Sequence, residues 1–385
     1  MSLEFFLSDK PLYYTEIDYT RMPRVYEKIK SHFTQTNTIH IVGTNGKGTT
    51  GRFLATALHN MGYKTAHYTS PHILEFNERI WMDGKNVSDV SLQATHEKLQ
   101  TLLTREDSDS LSFFEYTTLL ARLVFNDCDY IVLEAGLGGI HDATAVFPKR
   151  LTLVTPIAYD HESFLGSDIS SIAREKLGAV QNIAIMAKQK YIDIDNIAQS
   201  MIEEKNIAIY ALDTFIKKQD LSNIKMISKE LELVKYLEDN LKLAMACLNF
   251  LKLPYKSEYF KNSKLFGRLT YFRDNIIVDV GHNPLAAKSI LNALNGKKYT
   301  LVYNTYKDKD YKKILQILKP IIKNVEIINI KGERIEAIEL LQTTLTDLEI
   351  KYKTFKVIDT DKKYLVFGSF SVVEEFLQRM RESSE

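Results

Sequence analysis

Apolar residues recur along this chain at two spacings, and the alternation between them predicts an α/β architecture. Apolar runs of the strand type occupy residues 39–42, 64–68, 129–135, 151–155, 183–187, 207–211, 276–280, 299–303, 325–330 and 364–367. Helical patterns lie between them. Phe53, Leu54, Ala57, Leu58 and Met61 share one face after the first strand, and further helices are predicted over 88–104, 112–126, 169–180, 194–204, 231–252, 311–318 and 335–345, with another from Leu285. A short helix through Arg21, Met22, Val25, Tyr26 and Ile29 leads into the first strand. Pro71 stops the second strand, so residues 69–80 read as an ordered surface loop. Pro254 ends the longest helical pattern, and the polar stretch running to Lys264 reads as a linker. A chain of 385 residues exceeds what one core sustains. The expectation is an N-terminal domain over 1–256 with a mostly parallel sheet, and a smaller α/β domain over 257–385.

The turn between the first strand and its helix, GTNGKGT at 43–49, carries the clearest chemistry. Gly43, Gly46 and Gly48 let backbone N–H groups converge on an anion at a helix N-terminus, where the helix dipole also favours negative charge. Lys47 can reach the β/γ-phosphates, and the Thr49 or Thr50 hydroxyl can ligate Mg²⁺. The spacing departs from the common G-x-x-x-x-G-K-[ST] pattern, because the first glycine lies closer and Gly48 separates Lys47 from Thr49. A glycine-rich turn holding no ligand is the alternative.

Other candidates fall at the carboxyl ends of strands, where open α/β sheets bind ligands. Glu134 follows Ile131, Val132 and Leu133, and a carboxylate there needs a partner, either Mg²⁺ or a Lys or Arg elsewhere. Ser70, by itself an ordinary loop serine, and His161 would share that rim with Thr49, which favours a metal shell. His282 is either a rim group or a loop histidine with no role. The aromatic stripe over 112–126 is of the core type, although Phe113, Phe114 and Glu115 could face a flat heterocycle. Lys176, and Lys307, Lys309, Lys312 and Lys313, read as solvated helix faces.

Composition removes several classes. With 50 Lys+Arg against 49 Asp+Glu, neither nucleic acid nor an anionic membrane is expected as a partner. Only Cys128 and Cys247 are present, each in an apolar segment, which argues against a disulfide scaffold or a Cys-rich metal site and for a reducing compartment. No run approaches the roughly 20 apolar residues of a membrane-spanning helix, and the N-terminus lacks a signal-type apolar core. The expected location is the cytoplasm.

Taken in order, GTNGKGT (43–49), SPH and FNERI (70–80), FFE (113–115), VLEAGLGG and DAT (132–144), TPIAYDHESFLG (155–166), IAREKLG (172–178), FGR (266–268), DVGHNP (279–284), DKD (308–310) and GSF (368–370) form a set. The set resembles the folylpolyglutamate synthase and dihydrofolate synthase family, relatives of the muramyl peptide ligases. The resemblance implies a P-loop-like ATPase domain followed by a Rossmann-like domain. It implies ATP phosphates held by Asn45, Gly46, Lys47, Gly48 and Thr49, with Asn240, Arg268 and Asp279 as further nucleotide contacts and His282 in the same motif. Magnesium would be ligated by Ser70, Glu134 and His161, joined by Thr49. Phe113, Phe114, Glu115, Asp142 and Ala143 would line a pterin or folate pocket. Lys176 matches a lysine that is carbamylated and ligates a second magnesium, which overrides its solvated-face default.

The implied reaction is ATP-dependent addition of L-glutamate to dihydropteroate, reduced folate or both, by a monomer, with Lys47, Lys176, Arg268 and His282 as the catalytic set. Thr49 stands where serine is usual, and Ile140, His141 and Ala145 depart from the family pattern on the pterin side. Gln181 replaces a frequent lysine, and Val280 and Gly281 replace Gly-Ala before His282. A ligase using one of the two substrates, a muramyl-type ligase and a non-catalytic nucleotide switch are the alternatives.

Overall fold

The computed structural model describes residues 1–11 and 18–382, so part of the aromatic segment after Pro11 lies outside the described residues. The chain forms two compact units: Met1–Ala158, Glu162–Leu233 and Leu237–Ser263 make the first, and Tyr159–His161, Val234–Tyr236 and Lys264–Glu385 make the second.

The first unit is built on eight strands: β1 (Asn37–Val42), β2 (Thr65–Tyr68), β3 (Ile80–Met82), β4 (Lys85–Asn86), β5 (Tyr130–Glu134), β6 (Leu151–Val154), β7 (Ile183–Met186) and β8 (Ala208–Ala211). Their order is β4-β3-β2-β5-β1-β6-β7-β8. Pairing is parallel from β2 to β8 and antiparallel only at β3 and β4. Parallel strands covered on both faces read as continuous apolar runs rather than alternating ones. Ile39 and Ile41 pack with Phe53, Leu54 and Leu58 of helix Lys47–Asn60 on one face. On the other, Ile131 and Leu133 meet Leu92, Leu99, Leu119 and Leu120 of helices Asp89–Leu102 and Phe113–Val124.

Three parts of this unit differ from the sequence expectation. Residues 69–80 are followed by a tight hairpin whose turn, Asp83 and Gly84, takes positive φ at both positions, the pairing favoured between twisted strands; Trp81 of β3 is 5% exposed and extends the core. The helix expected over 231–252 is present as Lys235–Phe250, but an unpredicted helix, Lys218–Glu230, precedes it, with Glu232 at φ +50° between them. The polar residues of that preceding helix conceal Ile224 and Ile227, which are buried. The stretch read as a linker is packed on the first unit: Phe260 is fully buried, and Asn60 Nδ2 donates to the Tyr259 carbonyl at 2.8 Å.

The second unit has six strands, β9 (Thr270–Arg273), β10 (Ile276–Asp279), β11 (Tyr299–Tyr303), β12 (Ile322–Ile327), β13 (Tyr352–Thr354) and β14 (Tyr364–Phe367), in the order β13-β12-β11-β14-β10-β9. Only β9 is antiparallel. Ile277, Leu301, Val325 and Leu365 from the strands pack with Ile290, Ile314 and Leu345 from three helices. Both sheets are thus mostly parallel and helix-covered, the α/β class expected. The two edge strands β9 and β13 carry polar, exposed positions and lack an apolar run, which is why patterning does not show them.

Candidate active site

In the first unit, the chain passes from β1 to β2 on one side of the sheet, beyond β5, while β6, β7 and β8 lie on the other. Such a reversal opens a crevice beyond the carboxyl end of β1. The 43–49 turn occupies it. Gly43 has φ +136°, and a Cβ there would stand 2.0 Å from Thr155 Oγ1. Gly46 caps helix Lys47–Asn60 at φ +91°, and its missing Cβ would lie 2.4 Å from Asn240 Oδ1. Asn240 of helix Lys235–Phe250 is therefore held against the turn, as the resemblance implies. The turn is tied to the loop after β6 by Thr44, whose N–H donates to the Pro156 carbonyl at 3.0 Å and whose hydroxyl donates to the Ala158 carbonyl at 3.1 Å. Asn45 N–H lies 3.4 Å from the same Pro156 carbonyl.

The Lys47 amine folds back over this turn, donating to the Gly43 and Thr44 carbonyls at 3.3 Å each, and stands 3.9 Å from Glu134 Oε1. Glu134, at the end of β5 and 4% exposed, accepts from the Ser70 N–H at 3.3 Å and from the Thr69 hydroxyl. Ser70 and Glu134 thus meet on the rim predicted from their strand-end positions, with Lys47 beside them, whereas His161, expected on the same rim, belongs to the second unit beside Asp160. Of the two partners open to Glu134 from sequence, a lysine is present. The Thr49 hydroxyl on the helix's first turn is buried and has no hydrogen-bond partner among the described residues, and the same holds for Thr50. Buried polar groups are normally satisfied, so an orphaned hydroxyl beside a phosphate-type turn marks room for a ligand. A carboxylate with hydroxyls is a hard-oxygen donor set that fits Mg²⁺.

The expected pterin residues have definite local roles in the same unit. Ser112 caps helix Phe113–Val124 in a capping box with Glu115. The Glu115 carboxylate is also paired with Arg21 at 2.9 Å. Phe114 stacks on Tyr68 at 5.8 Å, and the Arg79 guanidinium sits over Phe113 at 5.1 Å, so both rings are half-buried and fixed in orientation. Asp142 turns inward. It accepts from the Leu137 N–H and the Thr144 N–H at 2.9 Å each, caps the short helix that starts at Ala143, and burial raises its pKa. Thr144 carries this arrangement inward to His40, at 2.7 Å from the ring Nε2. His141, one of the departures, stacks beside Tyr19 at 4.2 Å.

Lys176 is 4% exposed, which corrects the solvated-face expectation: helix Ile169–Leu177 turns this residue inward, and its C-terminal turn docks on the loop after β5. Ile140 N–H donates to the Glu175 carbonyl at 3.0 Å, and Gly139 N–H to Glu175 Oε1 at 3.2 Å. Gln181 has a role of its own, accepting from the Lys149 N–H at 3.0 Å and donating to the Phe147 carbonyl at 3.3 Å.

The second unit gathers a separate cluster. Asp160 is the centre: its carboxylate accepts from Lys309 Nζ at 2.8 Å and Asn283 Nδ2 at 3.1 Å, with His282 Nε2 at 3.5 Å and His161 Nε2 at 3.9 Å. Burial works to raise the Asp160 pKa, but the hydrogen bond and charge of His282, with His161 and Lys309, hold it well below the usual carboxylate range. Asp160, His161 and His282 are close enough for a shared metal ion, although Lys309 already brings a positive charge to the same carboxylate. Lys309 is 8% exposed and also meets Asp308 at 3.0 Å, so it is no solvated helix residue; it precedes the N-cap Asp310 of helix Tyr311–Leu318 and points inward. Sequence reasoning missed Asp160, Lys309 and Asn283 as a group. The only signal was the DKD and DVGHNP motifs, which carry no spacing information about each other.

Asp279, at the end of β10, is buried and accepts from the Tyr236 hydroxyl at 3.0 Å and the Leu269 and Gly281 N–H groups at 2.8 Å each. Burial raises its pKa, and Arg268 opposes the rise. Arg268 lies over the Phe370 ring at 5.5 Å. His282 Nδ1 lies 3.2 Å from the Val280 carbonyl. Asp279 and the backbone around it therefore fix Leu269 and Gly281, the neighbours of Arg268 and His282.

No protein-family model matches the chain. Among curated proteins, the dihydrofolate synthase/folylpolyglutamate synthase of Buchnera aphidicola subsp. Schizaphis graminum is 32% identical over 368 residues, 87% of this chain and 86% of its own. Among solved structures, Helicobacter pylori folylpolyglutamate synthetase is 38% identical with a TM-score of 0.79, covering 99% of this chain and 98% of its own. The structure of E. coli FolC in complex with DHPP and ADP is 25% identical with a TM-score of 0.81, covering 99% and 97%. The likeness covers nearly the whole chain, and the chain belongs to the dihydrofolate synthase/folylpolyglutamate synthase family.

Proposed function

We propose that the protein is an ATP-dependent ligase that joins L-glutamate to the carboxylate of dihydropteroate and of reduced folate. The observation that carries this is the phosphate turn, in which Lys47 stands over the Gly43 and Thr44 carbonyls and 3.9 Å from the buried Glu134, next to the unpartnered Thr49 hydroxyl. An amine over a glycine-rich turn at a helix N-terminus suits a nucleotide polyphosphate. Mg²⁺ would be held by Glu134, Ser70 and Thr49 and would supply positive charge against the phosphates, and a carbamylated Lys176 would ligate a second magnesium. The first unit, which continues to Ser263 past the expected boundary at 256/257, is the ATP-binding domain, and the second is the ligase domain.

In the reaction, a carboxylate oxygen of the pterin substrate attacks the γ-phosphorus in line and ADP leaves, giving an acyl phosphate. The amino nitrogen of glutamate then attacks the acyl carbon, phosphate departs, and the nitrogen loses a proton to form the amide. Two anions approach in the first step, so the barrier depends on fixed cations aimed at the transferring group. Lys47 fills that role in the first unit, and Arg268 is the corresponding cation of the second, with His282 in the neighbouring loop. Asn45, Gly46, Gly48, Asn240 and Asp279 position the nucleotide. Phe113 and Phe114 present fixed aromatic faces to a pterin, while Glu115, Asp142 and Ala143 hold the surrounding backbone.

Small molecules are the partners: ATP, glutamate and a pterin acid. A near-neutral net charge of +1 supports a chain that neither binds nucleic acid nor clings to an anionic surface. Both cysteines are unpaired and buried, in keeping with a reducing cytoplasm, and among the described residues no helix is long and apolar enough to cross a membrane. The protein acts as a monomer. The test is ADP release with L-glutamate and either dihydropteroate or a reduced folate monoglutamate, with products identified by mass. Turnover with both is expected, and Lys47→Ala abolishes it. Turnover with one substrate narrows the assignment, and glutamate-dependent turnover undiminished in Lys47→Ala refutes the role of the turn.

A further inference from the structure

At the opposite end of the first unit's sheet, where β1 and β6 begin, lies a cavity of about 510 Å³ that the ligase chemistry does not use. Six residues of β1 at roughly 3.3 Å each separate it from the phosphate turn by about 20 Å. Its wall is a cluster of three rings: Tyr26 and Phe33 each meet Phe147 edge-on, at 5.0 and 5.5 Å, and lie 5.8 Å from each other. Its charge is one-sided. Lys30, Arg122, Lys149 and Arg150 line it, and among the described lining residues there is no carboxylate.

Lys30 is paired with Glu27, but none of the other three cations is in an ion pair among the described residues. Arg122 is 4% exposed; its guanidinium lies 5.7 and 5.8 Å from the centres of Phe33 and Phe147, donates to the Thr34 carbonyl and to Asn126, and leaves Nε buried with no acceptor. Lys149 is 7% exposed, and its amine donates only to the Ala145 carbonyl, at 2.9 Å, among its described contacts. Burial pushes its amine down to about 8, with Asp142 opposing. Arg150 donates to Asn37 Oδ1. A buried guanidinium nitrogen without an acceptor is costly, and charged groups gathered with no counter-charge signal a site completed by an anion. The volume falls within the range of small-molecule sites.

We infer that this cavity binds a small polyanion carrying a flat ring, the chemistry shared by mononucleotides and glutamylated pterins. The rings offer the face or edge contact, and Arg122, Lys149 and Arg150 take the acidic groups by charge-assisted hydrogen bonds. The site stands independently of the ligase assignment, since none of its residues belongs to the phosphate turn.

Calorimetric titration of the full chain, given one equivalent of ADP so that the phosphate turn is filled with no excess left to compete for the cavity, tests this with three probes: guanosine 5′-monophosphate, folate triglutamate and inorganic pyrophosphate. At least one ring-bearing probe is expected to bind more tightly than pyrophosphate at a site whose affinity drops roughly tenfold in Lys149→Gln and in Arg150→Gln, the loss of one charge-assisted bond. The ring probe that binds identifies the source. Folate triglutamate would occupy a second site near Phe114 under the proposed function, and only one of its two sites should respond to these variants. Arg150 is exposed, so its variant keeps the test valid should Lys149→Gln fold poorly. No saturable binding of either ring probe, equal binding in the variants, or pyrophosphate binding as tightly as the ring probes overturns the inference. ADP affinity unchanged in both variants separates this outcome from failure of the phosphate turn.

Discussion

Replacing Lys309 by methionine leaves the Asp160 carboxylate in place without its nearest cation. The two side chains are 4% and 7% exposed and 2.8 Å apart, and at an effective dielectric of 20 their gross attraction is about 6 kcal/mol. Desolvation offsets much of that, and removing one partner of a buried pair costs about 3–5 kcal/mol because a charge is left behind. Asn283 at 3.1 Å and His282 at 3.5 Å remain on the carboxylate, which places the expected loss at the low end, about 3 kcal/mol. The assay is urea unfolding followed with two probes. The single tryptophan, Trp81, lies in β3 of the first unit, so its fluorescence reports that unit, while far-UV circular dichroism reports both. Lys309→Met should shift the dichroism transition and leave the tryptophan transition in place.

The sign with pH follows from Asp160. Its folded pKa lies below the unfolded value of 3.8, so its stabilising contribution is complete above that value and is lost as pH falls through the folded one. In Lys309→Met the folded pKa rises, and the gap to wild type narrows as acid neutralises the stranded carboxylate. The double variant Asp160→Asn with Lys309→Met removes both charges and should recover most of the loss. A loss under about 1 kcal/mol, the value of an ordinary exposed pair, or a double variant no more stable than Lys309→Met, would show that the cluster is not organised by this ion pair.

Two further outcomes follow from local geometry. Gly46→Ala forces a Cβ to 2.4 Å from Asn240 Oδ1 at φ +91°, which should cost about 1–3 kcal/mol of stability and weaken ADP binding; unchanged ADP affinity would mean that the turn and Asn240 are not held together. For Lys149, the folded amine titrates near 8 against an ordinary 10.5, so between those values the unfolded chain binds a proton that the folded one has released. Stability should therefore gain up to roughly 3 kcal/mol from this residue as pH rises across that window, at 1.36 kcal/mol for each tenfold change, and Lys149→Met should flatten the slope. A slope identical to wild type would place the amine in water.

The residues along this chain by themselves determine the α/β class, most of the central strands and the phosphate turn, because each rests on local physics: apolar runs for strands buried on both faces, and glycine where the backbone takes left-handed φ beside an oxygen. Thr49, Ser70 and Glu134 could be placed on one rim from their positions at strand ends, since a parallel sheet puts those ends on one side, but His161, read as a fourth member of that rim, is grouped with Asp160 and His282 in the second unit. The hairpin of β3 and β4, the turn at Glu232 and the edge strands β9 and β13 were not legible, because turn geometry and edge pairing depend on neighbours and not on periodicity.

The tertiary structure decided which polar residues are inside. Lys176 and Lys309 look alike in sequence to any exposed lysine, yet both are buried, one by the docking of its helix on the loop after β5 and the other by a carboxylate 149 positions away. The cationic cavity at Arg122 and Lys149 was equally hidden, since its rings and charges come from three separated segments. A charge's environment is set by what folds against it, and that is a property of long-range packing which no local pattern encodes.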